Sequence, residues 1–263
     1  MEVKNNLKLI FSYLKLNIKK EWQYKASFIM QVFTMLFNDL FFIIQWLIIF
    51  NLIDNIGGYG FRETMLLWSI SAGAFGVSHL FFGGAWNLKD MVYDGKLDVY
   101  LTQPKNLLIN VCCSSTYISA LGDILYSIII LFIIKAPWWW FLVIIPVDII
   151  SGIIYASMYI SYISLCFFVK GGDSLATAVE STVTKVSNYP PAIFSTLVKI
   201  IMSTFIPVVF YCFVPVEFIF LNFKPLFLVI YLGVAIIWIF IAFLCFNSGI
   251  KHYNSGSISG GRM

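Results

Sequence analysis

Three aspartates of this chain lie inside long apolar stretches of its sequence: Asp39, Asp123 and Asp148. A carboxylate inside a bilayer is energetically costly, so such a residue faces a protein interior or water. Each of the three could carry protons or contact a translocated substrate. Each could equally well accept a hydrogen bond from a polar side chain of a neighbouring helix, and the sequence leaves both interpretations open. Gln45, and Glu180 if its helix crosses the membrane, complete this set of candidate translocation-path or interhelical polar residues.

The sequence lacks the motifs of an enzyme or of a metal site. It contains no Gly-x-x-x-x-Gly-Lys-Ser/Thr phosphate-binding loop, and its run Gly171-Gly172-Asp173 has no lysine that could reach a phosphate. It also has no His-Glu-x-x-His zinc-protease motif and no Gly-x-Ser-x-Gly nucleophile elbow. Its two histidines, His79 and His252, lie far apart, and its five cysteines show no Cys-x-x-Cys spacing. We therefore expect no enzyme activity, metal ligand or cofactor-binding residue in this chain, so that any ATP and Mg²⁺ would be bound by a partner.

Six apolar stretches dominate the chain, and each is long enough to cross the roughly 30 Å hydrocarbon core of a bilayer. They cover about 26–52, 64–86, 107–134, 138–168, 193–222 and 225–247. Charged residues make up only 11% of the sequence, which is less than half of their usual share in a soluble domain. We predict an all-α membrane protein with six transmembrane helices in one domain, 1–250, followed by a partly disordered cytoplasmic tail, 251–263.

Lysines and arginines are concentrated in alternate segments between these stretches. Six lysines precede the first stretch, three lie between the second and the third, Lys170 follows the fourth, and two basic residues lie in the tail. The opposite loops hold only Arg62, Lys135 and Lys224. Because cytoplasmic loops carry the basic excess, we predict cytoplasmic termini and a multi-pass protein of the plasma membrane. The net charge of +4 then reflects membrane orientation, and no nucleic-acid partner is expected.

The N-terminal segment, 1–25, has the pattern of an amphipathic helix. Apolar residues such as Leu7 and Phe11 recur on one face, and Lys8 and Lys15 adjoin that face. Apolar residues beside lysines whose charged ends reach water are typical of a helix that lies in the inner membrane interface. An ordinary cytoplasmic helix is the alternative interpretation.

The segment between the second and third stretches carries charges at helical spacing. Asp90, Asp94 and Asp98 recur every four residues, which predicts a short charged helix. The same segment contains Lys89, Lys96, the apolar Met91, Leu97 and Leu101, and the helix-interrupting Gly95 and Pro104. A cytoplasmic helix with an apolar ridge is suited to docking a soluble partner. As a bare pattern, a solvated loop is an equally good interpretation.

The region 170–222 allows two topologies. Its first part is polar, and Tyr189-Pro190-Pro191 ends any helix there. Hydropathy alone places the polar part in the cytoplasm and the fifth span at about 193–215. Alternatively, 173–189 is a polar crossing helix shielded by protein, and 193–220 is an outer hairpin that re-enters the membrane. Such backbone is tolerated where it is buried in protein or lines a cavity.

Several motifs along the chain resemble one family of membrane proteins. Gly95-Lys96-Leu97-Asp98, with Leu101 and Pro104, is similar to the G-x-L-D-x-x-L-x-x-P stretch of type-two ATP-binding-cassette exporter permeases. The likeness extends to Asn38-Asp39-Leu40 with Gln45, Gly57-Gly58, Leu121-Gly122-Asp123, Tyr189-Pro190 with Ile193-Phe194, and Phe246 to Tyr253 with Ser255. It covers nearly the whole chain and is strongest with the six-span subfamily that was long described as a domain of unknown function.

The resemblance implies roles for particular segments of the permease domain. Residues 1–25 would form an interfacial elbow helix, 87–106 a cytoplasmic coupling loop, and 189–221 an outer re-entrant hairpin, which favours the polar-helix topology. The implied ATPase-coupling residues are Lys89, Asp90, Asp94, Gly95, Lys96, Leu97, Asp98, Leu101 and Pro104.

The resemblance also implies partners. Such a permease pairs with a second permease, different or identical. Two copies of a cytoplasmic ATP-binding-cassette ATPase, which bind ATP and Mg²⁺, dock beneath the pair and drive alternating access. Family members usually export drugs, peptides, lipids or polysaccharides, and no residue of this sequence selects among them. An abundance of Ile, Lys, Asn and Phe indicates an AT-rich bacterial genome.

Two other classes of function compete with an exporter permease. A gradient-driven secondary transporter would use Asp39, Asp123 and Asp148 as a proton relay and should show an internal repeat, which the sequence lacks. Its transport would collapse with the proton gradient and survive ATP depletion. An integral membrane enzyme would need convergent His, Glu or Cys residues near an interface, and the two histidines are far apart.

Overall fold

The computed structural model describes residues 2–253, with side chains from residue 5 onward. Within these residues the chain is all-α, about 80% helical, and contains no β-strand. The predicted tail covers 251–263, and its residues from 254 onward lie outside the described part of the chain. The α-helices are α1 Glu2–Glu21, α2 Lys25–Leu52, α3 Phe61–Phe82, α4 Leu88–Tyr93, α5 Asp98–Leu101, α6 Leu107–Cys112, α7 Ala120–Ile133, α8 Trp140–Ile163, α9 Gly172–Val186, α10 Thr196–Thr204 and α11 Pro225–Ile250.

The central helix is α3. It packs most extensively against α7 and α8, and it is buried along nearly its whole length. Small residues let these neighbours approach closely. A methyl group added at Gly76 would lie 2.8 Å from the carbonyl oxygen of Ala120 on α7, and one added at Gly152 of α8 would lie 3.0 Å from that of Ala74. The small residues of the second apolar stretch therefore form its helix contacts.

Four helices are long and apolar enough to cross a bilayer, judged by length and composition. They are Asn5–Leu52, in which α1 continues into α2, and Phe61–Tyr93, Trp140–Phe167 and Pro225–Ile250. Each contains most or all of one predicted apolar stretch. α2 and α11 expose most of their apolar surface, as helices do when they face lipid or another membrane subunit.

The third predicted stretch, 107–134, is not a single helix. It is divided into α6 and the 14-residue α7, which alone is only about 21 Å long. Side chains of other segments form hydrogen bonds with residues in the break. Asn87 Nδ2 donates a hydrogen bond of 2.8 Å to Ser115 Oγ, and Asn17 Nδ2 donates one of 3.1 Å to Thr116 Oγ1. The second of these bonds also holds α1 against the break.

The fifth predicted stretch, 193–222, is broken as well. α10 and the helical segment Val209–Leu221, which is π-helical over Val209–Phe213 and Val216–Leu221, meet at an angle of 90°. Pro207 lies in the bend, where a helix cannot keep its regular hydrogen bonds. This bent pair is either a broken span or a re-entrant loop.

α9 connects the two ends of the molecule. At its start, Asp173 Oδ2 lies 2.8 Å from Nζ of Lys89, and Lys89 belongs to the segment between α3 and α6. Just beyond its end, Ala192 packs so closely on Gly57, in the turn between α2 and α3, that a methyl group at Gly57 would overlap it. α9 therefore runs from the end that holds the α3–α6 segment to the end that holds the α2–α3 turn.

Candidate functional site

The predicted coupling residues lie in and around α4 and α5, and residues 88–104 form the α4–α5 element. The prediction of one short helix is wrong, because α4 ends at Tyr93 and α5 begins at Asp98. The chain turns between them at Gly95, whose φ of 72° is in the left-handed region that glycine tolerates. The four-residue spacing of the aspartates therefore does not form one stripe on a single helix.

One side of the α4–α5 element is anchored in the protein. Leu88, Val92 and Leu97 are exposed by 1%, 2% and 0%, and they pack with residues of α6, α8 and α11 in one apolar cluster. The sequence pattern predicts Leu97 as an apolar contact for a partner, but a fully buried side chain cannot reach one. Leu97 instead holds the turn after Gly95 against the rest of the chain.

The other side of the element is exposed and mixes charged with apolar residues. Asp90, Asp94 and Lys96 are exposed, and Lys96 Nζ lies 2.6 Å from Asp94 Oδ2. Val99 and Leu101 are exposed by 64% and 45%. Exposed branched side chains flanked by charges form a ridge of the kind that docks into a groove. Sequence reasoning missed Val99, because one valine in a charged segment carries no signal of its own.

A group of contacts that the sequence did not predict fixes the element to α9. Lys89 Nζ lies 2.8 Å from Asp173 Oδ2 in the first turn of α9. The hydroxyl of Tyr93 donates a hydrogen bond of 3.3 Å to Asp173 Oδ1 and accepts one of 3.1 Å from the backbone N–H of Gly171. These four residues form the α4–α9 clasp. An acidic residue in a first helical turn is a recognisable sequence signal, but its pairing with a distant lysine is not.

The end of α11 meets the same element. Tyr253 lies beside Asp98, and burial together with this carboxylate raises the pKa of Tyr253 to about 12. The ring of Tyr253 packs edge-on against Phe167 with 6.3 Å between centroids, and Phe167 packs against Phe246 at 5.7 Å. The motif from Phe246 to Tyr253 therefore packs against the α4–α5 element. Pro104 is exposed beyond α5.

A cavity of about 270 Å³ lies between α2, α3, α7 and α9. Three of the five predicted polar residues, Asp39, Gln45 and Asp123, line it, and the exposed Lys185 of α9 lies at its rim. Its other walls are mostly aromatic, formed by Phe42, Trp46, Trp68, Phe75 and Tyr189. The fold thus gathers two carboxyl groups from different apolar stretches among aromatic rings.

The two carboxyl groups of the cavity are almost fully enclosed. Asp39 and Asp123 are exposed by 1% and 3%, and the Oδ2 atom of each has no hydrogen-bond partner among the described residues. Among the side chains described, those of residues 5–253, neither carboxylate has an ion-pair partner. Because a buried charge without a partner is costly, these two groups require protons, water or a bound cation.

Asp148 and Glu180 lie outside the cavity. Asp148 Oδ2 accepts a hydrogen bond of 2.7 Å from Ser127 of α7, and its carboxyl group lies where a side chain on Gly73 of α3 would be. This arrangement corresponds to the interhelical alternative for Asp148. Glu180 Oε1 accepts a hydrogen bond of 2.6 Å from Trp86 Nε1. The three intramembrane aspartates therefore do not share one site.

A row of aromatic rings links the cavity to the α4–α5 element. Phe75, which lines the cavity, packs on His79 at 3.8 Å between ring centroids. His79 packs on Trp86 at 3.9 Å, and Trp86 stacks on Tyr159 at 4.3 Å. Trp86 comes just before α4, so a continuous row of packed rings runs from the cavity to the start of the α4–α5 element.

Comparison with known proteins gives a family for the chain. A model of the family described as ABC-2 family transporter protein matches residues 24–257. No curated protein and no solved structure matches. The matched region contains α2 to α11, and hence both the cavity and the α4–α5 element. The match confirms the resemblance that the sequence motifs indicate.

Proposed function

This chain belongs to the ABC-2 family of transporter proteins, and on that premise we propose that it is the permease subunit of an ATP-binding-cassette exporter. It is a multi-pass membrane protein that would form half of a translocation path. A separate cytoplasmic ATPase subunit, present in two copies, would bind ATP and Mg²⁺ and supply the energy. The observation that carries the proposal is the family match over residues 24–257.

The proposed topology has six crossings, with α9 as the fifth. α9 starts at the α4–α9 clasp and ends beside the α2–α3 turn, which supports this topology over a fifth crossing at 193–215. The 90° bend between α10 and residues 209–221 supports an outer re-entrant hairpin that extends from residue 189 to residue 221. With α1 as the elbow helix and both termini cytoplasmic, the lysine-rich segments lie on the inner side of a bacterial plasma membrane.

The exposed face of α9 supports pairing with a second permease, different or identical. The exposed polar residues of this helix are Ser174, Thr177, Ser181, Thr182 and Lys185. A crossing helix cannot present a lysine and several hydroxyl groups to lipid without large cost. This face would therefore line a water-filled path between two permeases.

The α4–α5 element would receive the movement of the ATPase. Its exposed Val99 and Leu101 would form the docking contact, and the buried Leu97 would keep the element rigid. The clasp between Lys89 and Asp173 would carry the displacement to α9. Closure of the ATPase pair on ATP would then make the two permeases rock against each other and alternate the access of the path.

Docking through the α4–α5 element is tested by co-purification of the ATPase with the permease. Val99→Asp and Leu101→Asp place a charge on the exposed side and should abolish recovery of the ATPase while the permease stays folded. Val169→Asp is the matched control, because Val169 is 60% exposed and lies outside the element. If the Val99 and Leu101 variants recover the ATPase as well as the control does, the element is not the docking site.

One observation favours a second candidate function, a gradient-driven secondary transporter. Asp39 and Asp123 line one cavity, where carboxyl groups could take up and release protons. Asp148, the third member of such a relay, is bonded elsewhere to Ser127. Transport that stops with the proton gradient and survives ATP depletion would select this function, whereas transport that stops with ATP depletion selects the exporter.

A further inference from the structure

We propose that the cavity between α2, α3, α7 and α9 binds the ammonium group of an organic cation. The proposal rests on the proposed function, because it names the chemical class of a substrate that the permease would carry. The ammonium group would lie between the carboxylates of Asp39 and Asp123, inside the aromatic walls. No residue on the exposed side of the α4–α5 element takes part.

The polar groups of the cavity favour a cation. Asp39 and Asp123 are exposed by only 1% and 3%, and one oxygen of each has no partner among the described residues. Lys185 lies at the rim and is exposed, and it forms no ion pair with either carboxylate. A bound ammonium group would give both carboxylates the opposite charge that they lack, which offsets the cost of burying them.

The aromatic walls favour an ammonium group over a metal ion. Phe42 and Trp68 stack with 4.1 Å between ring centroids, Trp46 meets Tyr189 edge-on at 5.8 Å, and all four line the cavity. Aromatic faces attract cations through their quadrupole, and cages of such rings recognise quaternary ammonium groups. Metal ions such as Ca²⁺ instead need a shell of oxygen ligands. Among the described residues no group of three His, Cys, Asp or Glu side chains could hold one.

The size of the cavity limits the ligand to a compact charged group. Its volume of about 270 Å³ is slightly below the roughly 300–1,000 Å³ of pockets that enclose a drug-sized molecule. The ammonium group and its first substituents would fit inside. The rest of the molecule would extend past Lys185 and Tyr189, which is 40% exposed, toward the exposed polar face of α9. That face is the one assigned to the translocation path.

The test measures binding of choline, a small quaternary ammonium, to the purified full-length chain in detergent by isothermal titration calorimetry. Two competitors accompany it: the uncharged analogue in which a tert-butyl group replaces trimethylammonium, and sodium chloride. We expect saturable binding of choline that neither competitor displaces. Absence of saturable binding, equal binding of the uncharged analogue, or displacement by sodium at equal concentration would overturn the proposal.

Isosteric variants locate the site. Asp39→Asn and Asp123→Asn should each weaken choline binding by about tenfold or more, while Asp148→Asn, which removes a buried carboxylate outside the cavity, should leave it unchanged. Unchanged binding in both cavity variants would overturn the proposal. Thermal unfolding without ligand reports whether each variant folds. If an asparagine variant does not fold, Trp46→Leu decides: loss of choline binding supports the site, and unchanged binding overturns it.

The outcome is independent of the test of the proposed function. Choline binding is measured on the isolated chain, so it does not require the ATPase. Recovery of the ATPase together with no choline binding would refute this inference alone. Choline binding without any recoverable ATPase would support the cavity as an ammonium site and refute the exporter.

Discussion

Replacing Leu97 and Leu101 by alanine, one at a time, should separate the anchored side of the α4–α5 element from its docking side. Leu97 is 0% exposed and Leu101 is 45% exposed. Truncation of a fully buried leucine removes its transfer free energy and leaves a cavity, so Leu97→Ala should lower the free energy of unfolding by about 2–5 kcal/mol. This estimate applies because the element lies in water in the proposed topology. Leu101 already contacts solvent, and Leu101→Ala should cost roughly 1 kcal/mol or less.

The two variants are compared by thermal unfolding in detergent and by recovery of the ATPase. Leu97→Ala should lower the unfolding midpoint by roughly 5–15 °C. Leu101→Ala should leave the midpoint nearly unchanged and reduce the recovered ATPase, because it removes a docking contact from a folded protein. The opposite pattern would refute the assignment of the two sides. In that pattern Leu97→Ala keeps the wild-type midpoint but recovers no ATPase, and Leu101→Ala recovers as much ATPase as the wild type.

Two further predictions concern the clasp and the close helix contacts. Lys89→Asp or Asp173→Lys alone should reduce ATP-dependent transport, and the double exchange should restore part of it, measured in vesicles with the ATPase present. No recovery in the double variant would show that this pair does not carry the movement. Gly84→Ala should destabilise the protein by roughly 1–3 kcal/mol, because the added methyl would overlap the backbone carbonyl oxygen of Val111. Gly233→Ala, where nothing lies within 4 Å, should keep the wild-type unfolding midpoint, and equal midpoints for the two variants would contradict the packing argument.

The long apolar helices could be predicted from the sequence, because a continuous apolar run has few alternatives to a crossing helix. The bounds of α2, α3, α8 and α11 agree closely with those of four predicted stretches. The breaks within 107–134 and 193–222 could not be predicted by hydropathy, which averages over the residues that cause them. Ser115 and Thr116 form hydrogen bonds with other segments, and Pro207 lies at the bend within 193–222.

The candidate sites depend on contacts between residues that are distant in sequence. Asp39, Asp123 and Asp148 look alike in the sequence, and only the packing of α2 and α7 brings the first two into one cavity. The same holds for the coupling residues. Leu97 and Leu101 are the same residue type four positions apart, yet Leu97, just before α5, is buried and Leu101, at the end of α5, is exposed. Sequence patterns identified the element but not which of its sides is exposed.

The most direct test of the central claim is affinity purification of this chain from its native cell in mild detergent, with the co-purifying proteins quantified by mass spectrometry. If the chain is an exporter permease, we expect a soluble protein with a phosphate-binding loop, recovered at nearly one copy per permease. A second six-span protein in the same sample would identify the paired permease as a different chain. Recovery of this chain alone under several gentle conditions would contradict the claim and favour a transporter driven by an ion gradient.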